Sequence, residues 1–599
     1  MSAVTAMAGD DSRVDSAPSD ARARRIAASA LAATVAVSGV CVLTLVAPFE
    51  MLRPLVTFPG QSLSSVEAVV VAVVAAWSAA MVLAGARRLR GTALAGPWLA
   101  LIAAALFAAV LAPEHRDNAV HMAGRLTLAF AVFLVAVSAA ASPASVRAIF
   151  MTSLGAGVIV SVLIVFEYAG NLTVLSFLEN FRPGVALVGS QVRAAGPFQY
   201  PTIASMYLEI VFAFGLGLLP WALAIGRRGT SFALVAVLLF IGEAIVLTFT
   251  RAGLLAIAGS AVVVGGLQLK RHGLDLGTRA IAMVIALVAI EALASRSVEA
   301  LSLRMTTETP AEWYRAAIDP PRQLTMQAGG ETIVPVIVTN NGHVTWTSAA
   351  RPPFRFAYHW LEPDSDRVVV WEGLRTNFDR PVPPGTTTTI DARVRAPSRP
   401  GTYDLLWDVE LQHQLWFSSE PTAVLAATPV VVSGSATGAF DRSGVTRLPR
   451  LSERPGRFVL WSAAARMFAA HPVTGIGLDN YRLEYGPYAR ISNADPRVHS
   501  NNMYLEMLVG MGLVGAAAGL WFAVRAFRAF AAAAARRADP ALGAGLAAAG
   551  AAIAIHGVLD SFLSFTATYV LMAITLGLAS AMAANPDLRA DVTAHAHRV

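Results

Sequence analysis

The 599-residue chain is short of cysteine and of charge. Its single cysteine, Cys41, has no internal partner, so any part outside the cytoplasm folds without disulfides. Charged residues make up 14% of the chain, against about 25% in an ordinary soluble domain. No cleavable signal peptide is evident, because the first apolar run is long enough to span a bilayer. No convincing internal repeat is evident either. What is abundant is apolar surface: 55% hydrophobic residues and a mean hydropathy of +0.57. This excludes an ordinary cytosolic enzyme, a disordered chain and a disulfide scaffold. It predicts an all-α polytopic membrane protein.

A spanning helix needs about 20 mostly apolar residues. The sequence offers twelve such runs, at about 26–48, 64–84, 93–112, 119–140, 147–169, 201–225, 230–249, 252–269, 279–295, 501–524, 541–560 and 562–584. Arginine placement orients them. With the N-terminus in the cytoplasm, the inner segments hold Arg13, Arg22, Arg24, Arg25, Arg87, Arg88, Arg90 and Arg147. They also hold Arg227, Arg228, Lys270, Arg271, Arg279, Arg525, Arg528, Arg536 and Arg537. The short outer loops keep only Arg53, Arg116, Arg182, Arg193 and Arg251. The net charge of +7 is therefore a topology signal and not a mark of nucleic-acid binding. Both termini fall inside, residues 1–25 and 585–599 read as cytoplasmic tails, the first of them disordered, and the long loop 296–500 lies outside. The expected location is the cytoplasmic (inner) membrane.

Within that loop, 296–322 reads as a connector, and 323–433 alternates apolar and polar residues between turns rich in Gly, Pro and Asn. Thr332–Val338 before Asn340-Asn341-Gly342, Val368–Trp371, Thr386–Val394 and Gly401–Trp407 read as strands. Short strands at this spacing suggest an immunoglobulin-like β-sandwich. Trp346, Trp360, Trp371, Trp407 and Trp416 either fill its core and rim or form a sugar-stacking platform, and the core reading is preferred. Residues 434–455 read as a linker. Phe458, Trp461, Ala465, Phe468 and Ala469 then mark an amphipathic helix ending at His471-Pro472, within an extracytoplasmic region 434–500.

Polar groups at span edges are candidates for function. Four clusters fall at the outer face: Gln191–Thr202 with Arg193, Thr248–Gly253 with Arg251, His499–Glu506, and His556–Asp560. An arginine fork matches phosphate oxygens bidentately. A helix N-terminus adds partial positive charge, and a histidine takes a proton near neutral pH. The combination suits transfer onto an alcohol with a pyrophosphate leaving group. Against it stand structural readings: Arg193 and Arg251 as snorkelling anchors, His499 as a loop histidine, Asp560 and Glu506 as partners of an arginine. Arg125, inside the fourth run, needs a partner or faces lipid phosphate. Arg457 and Arg466 contact phosphate or are solvated.

At these residues the chain resembles the O-antigen ligase and O-antigen polymerase superfamily of bacterial envelope glycosyltransferases. Arg193 before Gly196-Pro197-Phe198 resembles its arginine-glycine-phenylalanine loop, and Thr250-Arg251-Ala252-Gly253 its arginine tip. Pro472–Tyr481 is similar to its Pro-x-x-Gly-x-Gly stretch. Asn502-Met503-Tyr504-Leu505-Glu506, followed by Gly510–Gly515, resembles its His-Asn-x-Tyr-Leu…Gly-Leu-x-Gly signature. The resemblance implies transfer from an undecaprenyl-pyrophosphate-linked glycan donor to a glycan, lipid or protein acceptor. Arg193, Arg251 and Arg125 would bind pyrophosphate, and Arg193, Arg251 and His499 would be catalytic. Asn502, Tyr504, Glu506, Asp560 and Arg466 would support them. Two departures stand out. Asn501 occupies the family's histidine position, with His499 two residues earlier, and the long loop carries a sandwich where the family's is mainly helical.

The mechanism expected is inverting, with no metal and no cofactor. Asp364-Ser365-Asp366 spells a nucleotide-sugar motif but reads as a sandwich turn. The rival readings are a transporter or flippase of anionic lipid-linked sugars, and a non-catalytic envelope protein whose sandwich binds glycan. Partners other than substrates are membrane lipids, with no nucleic acid.

Overall fold

The computed structural model describes residues 17–58, 61–85, 92–189, 191–294, 303, 307, 312–350, 352–421, 423–436, 444–536 and 539–584. Among these, nine helices are long and apolar enough to cross a membrane: Ser65–Leu83, Arg116–Ala139, Pro143–Tyr168, Pro201–Ala224, Arg228–Leu247, Arg251–His272, Leu276–Ala294, Met503–Ala535 and Thr566–Ala584. Three shorter apolar helices, Ala30–Val46, Ala95–Leu111 and Pro540–His556, coincide with the other runs seen in the sequence. The protein is thus a polytopic membrane protein with a separate β-rich region. The first helix begins at Ala17, so residues 17–25, expected in a disordered tail, are helical. Residues 1–16 and 585–599 lie outside the described residues.

Local chemistry sets several helix starts. Ser64 and Glu67 form a reciprocal capping box, and Pro143 and Pro201 sit in first turns, where a missing N–H costs nothing. The Pro201–Ala224 and Thr566–Ala584 helices are almost wholly buried and form the centre of the bundle. Small residues permit close contact there. A Cβ at Gly217 would lie 2.4 Å from the Gly545 Cα, so only glycine lets these two backbones meet.

Two hairpins and two short helices were not read from the sequence. The hairpins are β1 (Val56–Phe58) with β2 (Gln61–Leu63), and β3 (Ala186–Val188) with β4 (Gln191–Arg193). The helices are Leu172–Leu178 and Tyr481–Ala489. The amphipathic helix is found at Arg457–Ala470.

The β-rich region starts at β5 (Ala316–Asp319), seven residues before the expected boundary at 323. It continues through β6 (Leu324–Gln327), β7 (Glu331–Asn340), β8 (Phe354–Leu361), β9 (Val368–Val370), β10 (Thr376–Asn377), β11 (Thr387–Arg395), β12 (Gly401–Leu411), β13 (Leu415–Trp416) and β14 (Ala426–Ser433). One sheet runs β10-β8-β12-β14-β6, with β9 on β8 and β13 on β12; the other runs β11-β7-β5. All pairs are antiparallel except β14 with β6. Along β7, Val334, Val336 and Val338 are buried while Ile333 and Ile337 are exposed, the period of two that a half-buried strand requires.

Trp346, Trp360 and Trp407 lie in the core shared by the two sheets, and Trp371 is buried against Leu361, Leu406 and Leu448. Trp416 is half-buried beside Trp371. The tryptophans fill the core and rim, and the buried four offer no stacking platform. Asp364 has a left-handed backbone in the turn between β8 and β9, and its N–H donates to Asp404. The described end of the linker, residues 444–455, is tied to the sheet. Leu448 donates to the Asp366 carbonyl and Leu451 to that of Ser419, so it folds back over the larger sheet.

Candidate functional site

The four polar clusters meet at one end of the bundle. Arg193, at the end of β4, donates from Nε to the Thr248 carbonyl at 3.1 Å. Beside it, the Ala194 N–H donates to the Leu247 carbonyl at 3.1 Å. These bonds tie the first arginine loop to the turn Thr248–Thr250, which Arg251 leaves as the first residue of its helix. The loop is pinned from behind by Glu167, which is fully buried. Its Oε2 accepts the N–H groups of Ala195 and Gly196 at 3.0 and 2.7 Å, and its Oε1 is 2.5 Å from Arg182 Nη2.

A third cation lies near Arg251. Arg457, the first residue of the Arg457–Ala470 helix, lies close enough that its charge is disfavoured by burial first and by Arg251 second, with Asp560 opposing. Its Nη2 donates to the Leu559 carbonyl at 3.5 Å. The same helix reaches the histidine loop, since Trp461 Nε1 donates to the Ser500 carbonyl at 3.0 Å.

In that loop Asn502 caps the Met503–Ala535 helix, its Oδ1 accepting the N–H groups of Tyr504 and Leu505. Glu506 Oε1 accepts the Ser500 N–H at 2.7 Å and lies 3.5 Å from His499 Nδ1. Asp479 Oδ1 is 3.9 Å from the same nitrogen. Burial disfavours the imidazolium of His499, but Glu506, with Asp479 and Asp560, outweighs it and holds the pKa above the ordinary histidine value. Asp560 is pushed up by burial, against the pull of His556, the Ser561 N–H, His499 and Arg457. Tyr504 donates its hydroxyl to the Ala554 carbonyl at 3.0 Å, and the Met503 N–H donates to the Gly557 carbonyl at 2.8 Å. These bonds join the third and fourth clusters.

The glycine-rich stretch supports this loop. Ile476 and Gly477 donate to the carbonyls of Val509 and Gly510, and a Cβ at Gly475 would lie 2.5 Å from the Val509 oxygen. The approach requires glycine, and it holds Asp479 beside His499.

Two expected residues are engaged by partners within the protein. Arg125 has a protein partner: its Nε donates to Glu67 Oε1 at 3.0 Å, and Nη1 to the Ser564 carbonyl at 3.4 Å. A buried carboxylate in the neighbouring helix compensates it, in place of lipid phosphate. Arg466 donates to the Tyr488 carbonyl at 2.7 Å and faces solvent. It lies nine residues along from Arg457, about 13 Å at helical rise, and fastens two short helices together.

Sequence reasoning missed Glu167 with Arg182, Asp479, and Glu209 as the buried partner of His556, the Glu209 Oε2 and His556 Nδ1 being 2.8 Å apart. Glu167 and Glu209 carried a usable signal, since each is a lone acid within an apolar run. Asp479, His499 and Glu506 bring one ligand atom each within 4.8 Å of one another, a spacing that suits a cation. The same carboxylates also suit the orientation of His499 through Nδ1.

No curated protein matches the chain. Residues 421–520 match the family model described as O-antigen ligase, over the last strand, the helix of Arg457, the glycine-rich stretch and the histidine loop. That match supports the O-antigen ligase and polymerase superfamily for this stretch, carried by a chain with several helices apolar enough to cross a membrane.

Proposed function

We propose that the protein transfers or polymerises glycan from an undecaprenyl-pyrophosphate-linked donor onto an acceptor hydroxyl. The reaction takes place at the outer face of the cytoplasmic membrane. In this reading the three shorter apolar helices complete a set of twelve spans, and the sandwich is an immunoglobulin-like insert on the outer side. The observation that carries the proposal is the junction of Arg193 with the turn that bears Arg251.

The polyprenyl tail lies between spans, and the two arginines hold the pyrophosphate. The acceptor oxygen attacks the anomeric carbon as the bond to the pyrophosphate oxygen breaks, inverting the centre. The electron pair of that bond leaves with the pyrophosphate, where Arg193 and Arg251 stabilise the growing charge. The hydroxyl proton passes to His499. Its Nδ1 is turned toward Glu506 and Asp479, which leaves Nε2 for the acceptor. The two carboxylates then stabilise the imidazolium. No divalent ion is required for this charge balance.

The test is turnover of a lipid-linked donor by the full-length protein in detergent. Loss of transfer in Arg251→Ala with folding retained supports the reading. Undiminished transfer in that variant removes it.

A further inference from the structure

Two of the places where the inserted sandwich meets the bundle each adjoin a candidate arginine. The first is the β3–β4 hairpin, which ends on Arg193. At its tip the Gly189 carbonyl accepts the hydroxyl of Tyr314, from the start of the sandwich, at 2.8 Å. Val188 of the hairpin is fully buried within the sandwich's own apolar cluster.

The second is Phe249. It follows Thr248, whose carbonyl receives Arg193, and stands two residues before Arg251. Although it belongs to a turn between two apolar helices, its ring is buried in the same cluster as Trp313, Tyr314 and Val344. Its backbone is left-handed, with φ 51°, a conformation that a bulky L residue rarely adopts. Such a conformation persists only where the surroundings over-determine it, and the burial of the ring in the sandwich supplies that constraint.

We propose that the sandwich is a brace for the two arginine-bearing turns, with Phe249 and Tyr314 as positioning residues. This rests on the reading of Arg193 and Arg251 as the pyrophosphate grip. A guanidinium fork recognises phosphate only within a narrow range of position and angle. A three-residue turn between two helices has little packing of its own to define that geometry. The sandwich closes over the turn and the hairpin together, so it fixes both cations in one frame.

The experiment measures the affinity of the full-length protein in detergent for undecaprenyl pyrophosphate, alongside its melting temperature. Phe249→Ala is expected to weaken binding by about tenfold, and Tyr314→Phe, which keeps its ring and loses one hydrogen bond, by about threefold. Phe249→Leu, which still fills the cluster, recovers most of the loss. Because Phe249 acts through Arg251, Phe249→Ala combined with Arg251→Ala binds no more weakly than Arg251→Ala alone. The proposal is overturned if Phe249→Ala and Tyr314→Phe lower the melting temperature but leave affinity unchanged, or if the losses simply add. Should Phe249→Ala fail to fold, Tyr314→Phe decides. If Arg251→Ala binds as tightly as the wild type, the pyrophosphate reading itself fails, an outcome separate from loss at Arg251 with none at Phe249 or Tyr314.

Discussion

Arg193 donates to the carbonyl of Thr248, three residues before Arg251, so two cations 58 positions apart share one turn. The bond uses Nε of Arg193. Both arginines adjoin residues buried in the sandwich's cluster, and Arg457, the first residue of the Arg457–Ala470 helix, lies near Arg251.

If the arginines act as planar forks, lysine cannot replace them. Arg251→Lys and Arg193→Lys are each expected to slow transfer by about 100-fold. Single-turnover rates with a saturating lipid-linked donor measure this. Near-normal rates would reduce both residues to plain charges.

Glu167 and Arg182 are buried together, and Glu167 also holds the N–H groups of Ala195 and Gly196. Glu167→Ala leaves Arg182 buried and unpaired, at a cost of about 3–5 kcal/mol. Thermal unfolding in detergent should show the loss. Adding Arg182→Leu should restore the part due to the stranded charge, while the unpaired N–H groups of Ala195 and Gly196 keep the remainder lost.

The pH dependence follows from His499. Glu506 and its neighbours hold the folded pKa above the ordinary value of about 6.5. The stability from this contact is therefore full below about pH 6.5 and is lost as pH rises through the folded value. Activity runs the other way, since a base must be neutral, and the transfer rate should climb through that value. Glu506→Gln removes the strongest interaction that raises the pKa and leaves the burial, so the rising limb of the pH–rate profile should move to lower pH. A limb that stays in place would take His499 out of the base role.

Metal removal separates two uses of one trio. If Asp479 and Glu506 orient His499, a chelator leaves the transfer rate unchanged. If activity falls on chelation and returns with added divalent ion, these residues hold a cation, and their spacing already suits one.

Trp360 is buried between the sheets, its Nε1 donating to the Arg395 carbonyl. Trp360→Ala should cost about 3–5 kcal/mol of stability, seen as an earlier melting transition. A change in glycan affinity without that shift would restore a binding role to the tryptophans.

The residues chosen from the sequence divide by how local their evidence was. Arg193, Arg251, His499 and Asp560 were visible because each interrupts an apolar stretch at its edge. Arg125 was visible because it lies inside an apolar run, but its partner Glu67 lies 58 positions away, and nothing nearby in the chain announces the pair. Arg457 and Arg466 occupy one helix and look alike in sequence. Only packing separates them, one bonded to the Leu559 carbonyl near Arg251 and the other to the Tyr488 carbonyl.

The apolar helices, the arginine asymmetry along the chain and the alternation of the β-strands were written in the sequence alone. Each depends on neighbouring residues meeting lipid, water or a sheet face, and such solvation is local. Tertiary structure decided which charges meet, where the sandwich rests and which arginines share a turn. Those contacts join residues tens to hundreds of positions apart, and their free energy exists only once the helices have packed.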